Sequence, residues 1–220
     1  MNLNFQNVLA YWPDFLSGAA LTLRLSLLAM LIGTAIAIPC AWARADGPRW
    51  LRRIIGAYVE LIRNTPLLIQ IYIVFFGLPG LGLRLSADTA ALVALALNVG
   101  AYATEIIRAG IQSISRGQIE AGRALGLRGP QIFRLVVLRP ALKAIYPALT
   151  SQFIILMLYS SLVSVISAND LSSVANHIQS VTFRSFEVYI LVTAIYFVLS
   201  SAMSAGFALI YRRFIHYPSR

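Results

Sequence analysis

The chain has 220 residues, of which 59% are hydrophobic and 12% are charged, and its formal net charge at pH 7 is +10. A soluble core cannot hide so large an apolar share, so the composition excludes an ordinary globular domain and indicates that lipid is the main solvent of the protein. The positive charge is typical of a nucleic-acid partner or of a membrane protein that obeys the positive-inside rule, and the positions of the basic residues distinguish the two.

Five apolar segments are each long enough to cross a hydrocarbon core of about 30 Å. We predict transmembrane helices over residues 15–42, 58–78, 88–107, 141–167 and 188–211, within one all-α membrane domain that extends over residues 1–220. Turn-forming residues separate them, namely Asp46-Gly47-Pro48, Pro79-Gly80 and Ala168-Asn169-Asp170. The first segment lacks the basic start of a cleaved signal peptide, so we expect it to remain in the mature protein.

The basic residues fall mainly into three groups on one predicted side of the membrane. These groups hold 5, 7 and 3 residues, which together are 15 of the 18 lysines and arginines. They are Arg44, Arg49, Arg52, Arg53 and Arg63; Arg108, Arg116, Arg123, Arg128, Arg134, Arg139 and Lys143; and Arg212, Arg213 and Arg220. By the positive-inside rule this side is the cytoplasm, so the N-terminus is predicted outside and the C-terminus inside. The asymmetry explains the net charge without nucleic acid.

Motifs for metal binding and nucleotide chemistry are missing from the sequence. Cys40 is the single cysteine, and His177 and His216 are far apart along the chain, so we predict neither a disulfide nor a metal site. The only lysine, Lys143, does not follow a glycine-rich phosphate-binding turn. We therefore expect a protein that is not itself an enzyme and has no cofactor of its own.

The longest polar stretch, over residues 112–138, carries the signals of an ordered loop with two short helices. Ser115 and Gln118 have the spacing of a capping box, which predicts a helix from there through Leu125. Gly126 is placed to end that helix in a left-handed conformation. A rigid protrusion on the cytoplasmic side follows from this pattern.

A second short helix is predicted over residues 131–137, with Pro130 in its first turn and Arg139-Pro140 at its end. The small residues of the first helix allow another protein to approach closely beside the charge of Glu120, which favours a docking element. A packed loop that only caps the helix bundle is the alternative reading.

Several sequence blocks resemble one family of membrane proteins. Glu120-Ala121-Gly122, followed by Gly126 and by Leu138-Arg139-Pro140, is similar to the Glu-Ala-Ala…Gly…Leu-Pro loop of bacterial ABC importer permeases. Further blocks resemble the permeases for polar amino acids, of the histidine, glutamine and arginine uptake type. They are Arg63-Asn64-Thr65-Pro66-Leu67, Phe76-Gly77-Leu78-Pro79, Asn98-Val99-Gly100-Ala101-Tyr102, Glu105-Ile106-Ile107-Arg108 and Ser160-Ser161-Leu162-Val163-Ser164-Val165-Ile166. Two departures from the family pattern are Gly122 in place of the second alanine and Arg139 at the proline position.

The resemblance implies a type I ABC importer permease in a bacterial inner membrane. Its implied partners are two ATPase subunits, which hold ATP and Mg, a second permease subunit of the same or a related chain, an extracytoplasmic solute-binding protein and an amino-acid substrate. The implied function is half of an ATP-driven translocation pathway. The implied ATPase-coupling residues are Gln118, Glu120, Ala121, Gly122, Ala124, Leu125, Gly126 and Leu127.

Polar side chains within the predicted spans are candidates for the substrate pathway, because they are costly in lipid unless they face a cavity or another helix. They are Gln70, Tyr72, Asn98, Tyr102, Gln152, Tyr159, Ser160 and Ser164. In the fourth span, Gln152, Tyr159 and Ser160 have near-helical spacing, which predicts one polar face. Hydrogen bonding between helices is the alternative role for each of them.

The remaining charges near the spans have simpler predicted roles. Glu60 with Arg63, and Glu105 with Arg108, are three residues apart and are predicted to form intrahelical ion pairs, with a gate as the alternative. Arg24 lies inside the first span and is expected to extend toward the outer interface or a neighbouring helix, with a role in substrate binding as the alternative. A passive channel or carrier that works without ATPases, and a non-transporting scaffold, are the competing functions.

Overall fold

The structure is a computed structural model that describes residues 3–215. All regular secondary-structure elements in this range are helical. His216 and Arg220 lie outside the described residues. The α-helices are α1 (Gln6–Leu9), α2 (Trp12–Asp46), α3 (Arg49–Arg63), α4 (Leu67–Tyr72), α5 (Ala87–Gln112), α6 (Arg116–Ala124), α7 (Gly129–Ile132), α8 (Arg139–Tyr159), α9 (Leu171–Thr182) and α10 (Ser185–Ile210). Wider π-helical turns cover Ile73–Gly77, Phe133–Leu138 and Tyr211–Ile215, and tighter 3₁₀ turns cover Leu78–Leu81 and Ser160–Ile166. The all-α prediction is confirmed.

Four of the described helical stretches are long and apolar enough to cross a membrane, and they match the first, third, fourth and fifth predicted spans. They are Trp12–Asp46, Ala87–Gln112, Gly129–Ile166 and Ser185–Ile215. The second predicted span, residues 58–78, is wrong as a single helix. Its place is taken by Arg49–Arg63 and Leu67–Leu81, which meet at an angle of 109° and reach the count of five only as a bent pair.

The bend follows from the residues at its corner. Pro66 has no backbone N–H, and its ring disfavours helical geometry at Thr65, which favours a break between α3 and α4. Pro66 is extended, with φ −60° and ψ 137°, and it lies at the N-cap of α4. The sequence motif that contains Pro66 therefore marks a corner of the chain rather than the interior of a span.

The pair α2 and α5 forms the centre of the bundle, where small residues let the two backbones approach. A Cβ atom added at Gly33 of α2 would lie 2.8 Å from the carbonyl oxygen of Ala96 and 3.0 Å from the backbone nitrogen of Gly100, both on α5. No side chain fits in that space. Around this contact the buried core also includes Leu95, Leu156 and Met157.

The second short helix predicted over residues 131–137 is also wrong, because the chain does not break at Arg139-Pro140. From Gly129 the helical backbone continues into α8, with Pro130 in its first turn as predicted. The π turn Phe133–Leu138 ends two residues before Pro140. A widened turn removes the close contact between a proline ring and the carbonyl four residues earlier, so the helix passes through Pro140.

A helix that the sequence analysis did not predict, α9, lies between the fourth and fifth spans. Asp170 caps it, because Oδ1 accepts from the Ser173 N–H at 3.0 Å and Oδ2 from the Ser172 N–H at 3.1 Å. Asp170 is fully buried, and this burial raises its pKa to about 6 despite the two backbone hydrogen bonds. The Leu171 N–H donates to Thr22 Oγ1 at 3.2 Å, which ties α9 to α2.

The two ends of α2 define the two ends of the molecule. At its start, Phe15 packs in one buried cluster with Leu171 and Ile178 of α9. At its other end, Arg44 forms an ion pair with Glu105, near the end of α5 that leads into α6. A helix of 35 residues rises about 50 Å, so α6 and α9 lie at opposite ends of the bundle.

Candidate functional site

The protruding helix α6 is fixed at both ends by hydrogen bonds of its own. At its start the Ser115 hydroxyl accepts from the Gln118 N–H at 3.3 Å, and Gln118 Oε1 accepts from the Ser115 N–H at 3.3 Å. At its end Gly126 has φ 76°, and the Leu127 N–H donates to the Gly122 carbonyl at 3.1 Å. This end is a Schellman motif, which satisfies carbonyls that a helix end leaves free. The predicted capping box and left-handed glycine are confirmed.

The exposed surface of α6 combines small residues with one acidic residue, Glu120, and two arginines, Arg116 and Arg123. Gln118, Glu120, Ala121 and Ala124 are exposed on it. Leu125, directly after the helix, is 81% exposed, which is costly for a leucine at a water-facing tip. An exposed apolar side chain on a rigid helix end is typical of a surface that another protein covers.

Gly122 differs from its exposed neighbours in α6 because it packs within the chain. It is buried, and a Cβ atom at this position would lie 3.3 Å from Ile132 Cγ1 and 3.5 Å from Val136 Cγ2. Gly122 therefore allows α6 to pack closely against its own chain. Because Ile132 and Val136 lie just before α8, the contact joins the protrusion to a membrane-spanning helix.

A cavity of about 440 Å³ opens between α4, α5 and α8. Its lining residues are Thr65, Pro66, Leu67, Leu68, Asn98, Tyr102, Gln152, Ile155, Tyr159 and Leu162. Four of the eight predicted pathway residues are thus brought together, namely Asn98, Tyr102, Gln152 and Tyr159. Its size suits a small polar molecule such as an amino acid.

The cavity lining combines an apolar floor with uncharged polar groups. Within residues 3–215, neither the Gln152 amide nor the hydroxyls of Tyr102 and Tyr159 make a hydrogen bond to protein. These groups are therefore available to a ligand. Asn98 differs, because its Nδ2 donates to Gln70 Oε1 at 2.9 Å.

The other four predicted pathway residues lie outside this cavity. Gln70 is buried and its Nε2 donates to the carbonyls of Ile62 and Thr65, at 2.7 and 3.0 Å. Gln70 therefore braces the bend between α3 and α4. The Tyr72 ring packs against Phe76, with 5.7 Å between the ring centroids.

Two serines of the fourth span bond to their own helical turn. The Ser160 hydroxyl is fully buried and donates to the Met157 carbonyl at 2.7 Å, and the Ser164 hydroxyl donates to the Ser161 carbonyl at 2.9 Å. The polar face predicted for Gln152, Tyr159 and Ser160 is therefore wrong for Ser160. The shift from α-helical to 3₁₀ geometry at that residue changes the side-chain direction.

A second cavity, of about 260 Å³, is lined by charges at the end of the bundle that leads to α6. Its lining residues are Arg44, Val59, Glu60, Arg63, Asn64, Tyr102 and Glu105. Glu105 accepts from Arg44 at 3.0 Å and from Arg108 at 2.7 Å, so the predicted pair of Glu105 and Arg108 is confirmed and extended.

The predicted pair of Glu60 and Arg63 is wrong. In the described part of the chain Glu60 takes part in no ion pair. The guanidinium carbon of Arg63 lies over the Tyr102 ring, 5.3 Å from its centroid. Arg24 is exposed on α2 and, among the described residues, has no partner.

Comparison with known proteins assigns the architecture. The family described as "Binding-protein-dependent transport system inner membrane component" matches residues 29–216. The chain belongs to this family. It is thus the membrane permease subunit of an ABC transporter, and the competing reading of a non-transporting scaffold is excluded.

Curated relatives align with nearly the whole permease. It is 37% identical over 206 residues to a probable glutamine ABC transporter permease protein, GlnM, of Bacillus subtilis, with 94% of each chain covered. It is 37% identical over 200 residues to the arginine transport system permease protein ArtQ of the same organism, covering 90% of this chain and 91% of that one. The nopaline transport system permease protein NocM of Agrobacterium fabrum is 34% identical over 212 residues, with 92% and 88% covered.

Solved structures agree with the fold of the permease. One chain of an amino acid ABC transporter with histidines is 41% identical, covers 97% of this chain and 100% of its own, and superposes with a TM-score of 0.89. An inward-facing structure of the MetNI methionine ABC transporter is 22% identical with a TM-score of 0.77, which supports the fold alone. The predicted type I importer architecture is confirmed.

The wall of the cavity that comes from the bend between α3 and α4 was not predicted from the sequence. Four residues of the bend line this wall, namely Thr65, Pro66, Leu67 and Leu68. Only Thr65 among them has a polar side chain. The sequence held a partial signal, because Pro66 lies inside a predicted span and a proline there is compatible with a break, although Pro39 and Pro147 lie inside continuous helices. The predicted span 58–78 runs through Asn64-Thr65-Pro66 as one helix and therefore does not include this corner.

Proposed function

We propose that this permease forms half of the translocation pathway of an ATP-driven amino-acid importer and receives the force of an ATPase through α6. The observation that carries the proposal is the rigid, capped helix with the exposed Leu125 at its tip, on a chain similar over nearly its full length to amino-acid permeases. ATP and Mg belong to the ATPase subunits. This chain supplies the coupling helix α6 and half of the translocation pathway.

Motion at α6 reaches the cavity through a short line of contacts. Gly122 of α6 packs on Ile132 and Val136, and the helical backbone continues from there into α8. Gln152 and Tyr159 of α8 line the cavity. A displacement of α6 by a partner would therefore move one wall of the cavity relative to α5, because a packed helix moves as a unit.

The cavity suits an amino acid by its chemistry. The backbone amino and carboxylate groups of the substrate would meet the Gln152 amide and the hydroxyls of Tyr102 and Tyr159, none of which is committed to protein. The lining contains no acidic or basic side chain. We therefore propose that the uncharged polar groups bind the zwitterionic part that amino acids share, and that the open side faces the second permease subunit.

The orientation proposed places α6 in the cytoplasm and the start of α2 outside. The arginine-rich ends of α2, α3 and α5 lie at the α6 end, in agreement with the positive-inside rule. A binding protein would deliver the substrate at the opposite end, where α9 is located. The partners proposed are two ATPase subunits, a second permease subunit of the same or a related sequence, and that binding protein.

Co-purification followed by transport tests the proposal. The permease is co-expressed with the ATPase and binding protein encoded by neighbouring genes, and the complex is placed in liposomes. Glu120→Arg, and in a separate variant Leu125→Glu, should reduce recovery of the ATPase about tenfold, as expected for a central interface residue. Asp14→Arg, an exposed acid at the other end of α2, is the matched control and should retain the ATPase.

Two results would contradict the proposal. Recovery of an intact complex with both α6 variants would remove α6 as the coupling element. Uptake of amino acid by the wild-type complex without ATP would favour the carrier that needs no ATPase. Full recovery with Asp14→Arg and loss with Glu120→Arg would support coupling through α6.

A further inference from the structure

The two cavities of the permease adjoin each other, and one side chain lines both. Tyr102 of α5 contributes to the uncharged cavity of about 440 Å³ and to the charged cavity of about 260 Å³. We call the boundary between the two cavities the partition. Besides Tyr102 it includes the bend between α3 and α4, because Asn64 lines the charged cavity and Thr65 lines the uncharged one. Tyr102 therefore lies at the boundary between the two cavities.

The partition is stiff on the side of the bend. Gln70 Nε2 lies 3.0 Å from both the carbonyl and the hydroxyl oxygen of Thr65, and Gln70 Oε1 accepts from Asn98 Nδ2. Asn98 lies one helical turn before Tyr102 on α5, so the bend and α5 are held together beside the partition. The bend therefore cannot open without the loss of buried hydrogen bonds.

The partition is weak on the side of Tyr102. In residues 3–215 the Tyr102 hydroxyl makes no hydrogen bond, and the charged contact of the ring is the Arg63 guanidinium at 5.3 Å from the centroid. A cation–π contact at a partly exposed site contributes only modestly to stability. The ring can therefore change rotamer when the Arg63 contact is released, while the bend stays in place.

We propose that Tyr102 is the barrier between the substrate cavity and a charged exit chamber, and that Arg63 is the positioning residue that keeps this barrier closed. The inference rests on the proposed function and adds the exit side of the pathway to it. Beyond the barrier, a zwitterion meets Glu60, whose carboxylate has no ion-pair partner within the described residues, and the pair of Arg44 and Glu105. Both ends of the zwitterion thus find an opposite charge after they leave the uncharged cavity.

The accessibility of an introduced thiol tests the barrier without knowledge of the substrate. Cys40 is the only cysteine, so Cys40→Ala gives a background in which Leu68→Cys places one thiol in the uncharged cavity. The assembled complex is labelled in inside-out vesicles with a membrane-impermeant thiol reagent from the cytoplasmic side. Arg63→Gln should raise the labelling rate about two- to fivefold, the factor expected for loss of a cation–π contact at a partly exposed site.

The matched control is Arg53→Gln, which removes the same charge from an exposed position on α3 outside both cavities. Its labelling rate should equal that of the parent. Equal rates for Arg63→Gln and Arg53→Gln would overturn the proposal. Tyr102→Phe keeps the ring and should label like the parent, whereas Tyr102→Ala should label faster than Arg63→Gln.

Transport by the same variants separates this inference from the proposed function. With a mixture of the standard protein amino acids, Arg63→Gln should lower the amino acid transported per ATP hydrolysed, while Arg53→Gln leaves it unchanged. An absence of ATP-driven uptake by the wild-type complex would refute the proposed function, yet the thiol labelling would still report whether Tyr102 separates the cavities. If Tyr102→Ala fails to assemble, Arg63→Gln alone decides, because Arg63 is exposed and not part of the core.

Discussion

Gln70→Leu should destabilise the permease without changing its apparent affinity for substrate, because Gln70 braces the bend and does not line the cavity. Its side chain is 7% exposed. The amide nitrogen donates to the carbonyls of Ile62 and Thr65, and the amide oxygen accepts from Asn98. Leucine is close to glutamine in size, so the substitution removes hydrogen bonds with little change in packing.

The expected loss follows from the number of hydrogen bonds. Three bonds at about 0.5–1.5 kcal/mol each give a loss of roughly 2–4 kcal/mol, and the amide of Asn98 is left buried without its partner. For a domain of this size that loss corresponds to a fall of roughly 4–16 °C in the unfolding midpoint. The measurement is thermal unfolding of the purified complex, followed by the substrate concentration that gives half-maximal uptake.

A matched control and a double variant make the test specific. Gln152→Leu makes the same chemical change in a cavity-lining amide that has no protein partner, so it should leave the unfolding midpoint nearly unchanged and weaken uptake. Asn98→Leu combined with Gln70→Leu should cost about 1 kcal/mol less than the two single changes added together. Additive costs, or a large loss of stability with Gln152→Leu, would refute the assignment of Gln70 as a brace.

Two further predictions concern packing and pH. Gly33→Val should destabilise the complex by about 1–3 kcal/mol or prevent its assembly, because the added side chain would clash with the backbone of α5. Gly206→Val is the control, because that position has open space around it. Size-exclusion chromatography should recover less complex with Gly33→Val and a nearly unchanged amount with Gly206→Val. Burial raises the pKa of Asp170 to about 6 from an ordinary value of 3.8. Between pH 3.8 and about 6 the folded protein therefore holds a proton that the unfolded chain has lost. The free energy of unfolding falls as the pH rises through this window, by at most roughly 3 kcal/mol. Asp170→Asn should remove this part of the slope in unfolding midpoints measured from pH 4 to pH 7, and identical slopes in both proteins would contradict the assignment.

Local signals in the sequence predicted the local structure well. The spacing of Ser115 and Gln118 predicted the start of α6, and Gly126 predicted its end, because both depend on hydrogen bonds between residues a few positions apart. Continuous apolar segments predicted four of the spans for a similar reason. The pair of Glu105 and Arg108 is another local feature that the sequence predicted correctly.

Features that depend on the competition between distant contacts were not predictable in the same way. Pro66 lies between two helices, whereas Pro140 lies within one. The residues directly before the two prolines, Thr65 and Arg139, do not distinguish these outcomes. At Pro66 the freed backbone groups bond to the side chain of Gln70, and at Pro140 a π turn widens the helix. The cavity depends on the first outcome, so its apolar wall could not be inferred from composition.

The polar residues of the spans show what divides a structural role from a functional one. Sequence alone treats each of them as a candidate, because every polar group in lipid needs a partner. In the structure, Gln70 and Ser160 find that partner within the protein, and their hydrogen bonds stabilise a bend and a tight turn. Gln152 and Tyr159 find none among residues 3–215 and face a cavity instead. A polar side chain whose hydrogen-bonding capacity the fold leaves unused, next to a space of substrate size, is available to bind a solute that itself must leave water. By this criterion we propose that one wall of α8 belongs to the translocation pathway.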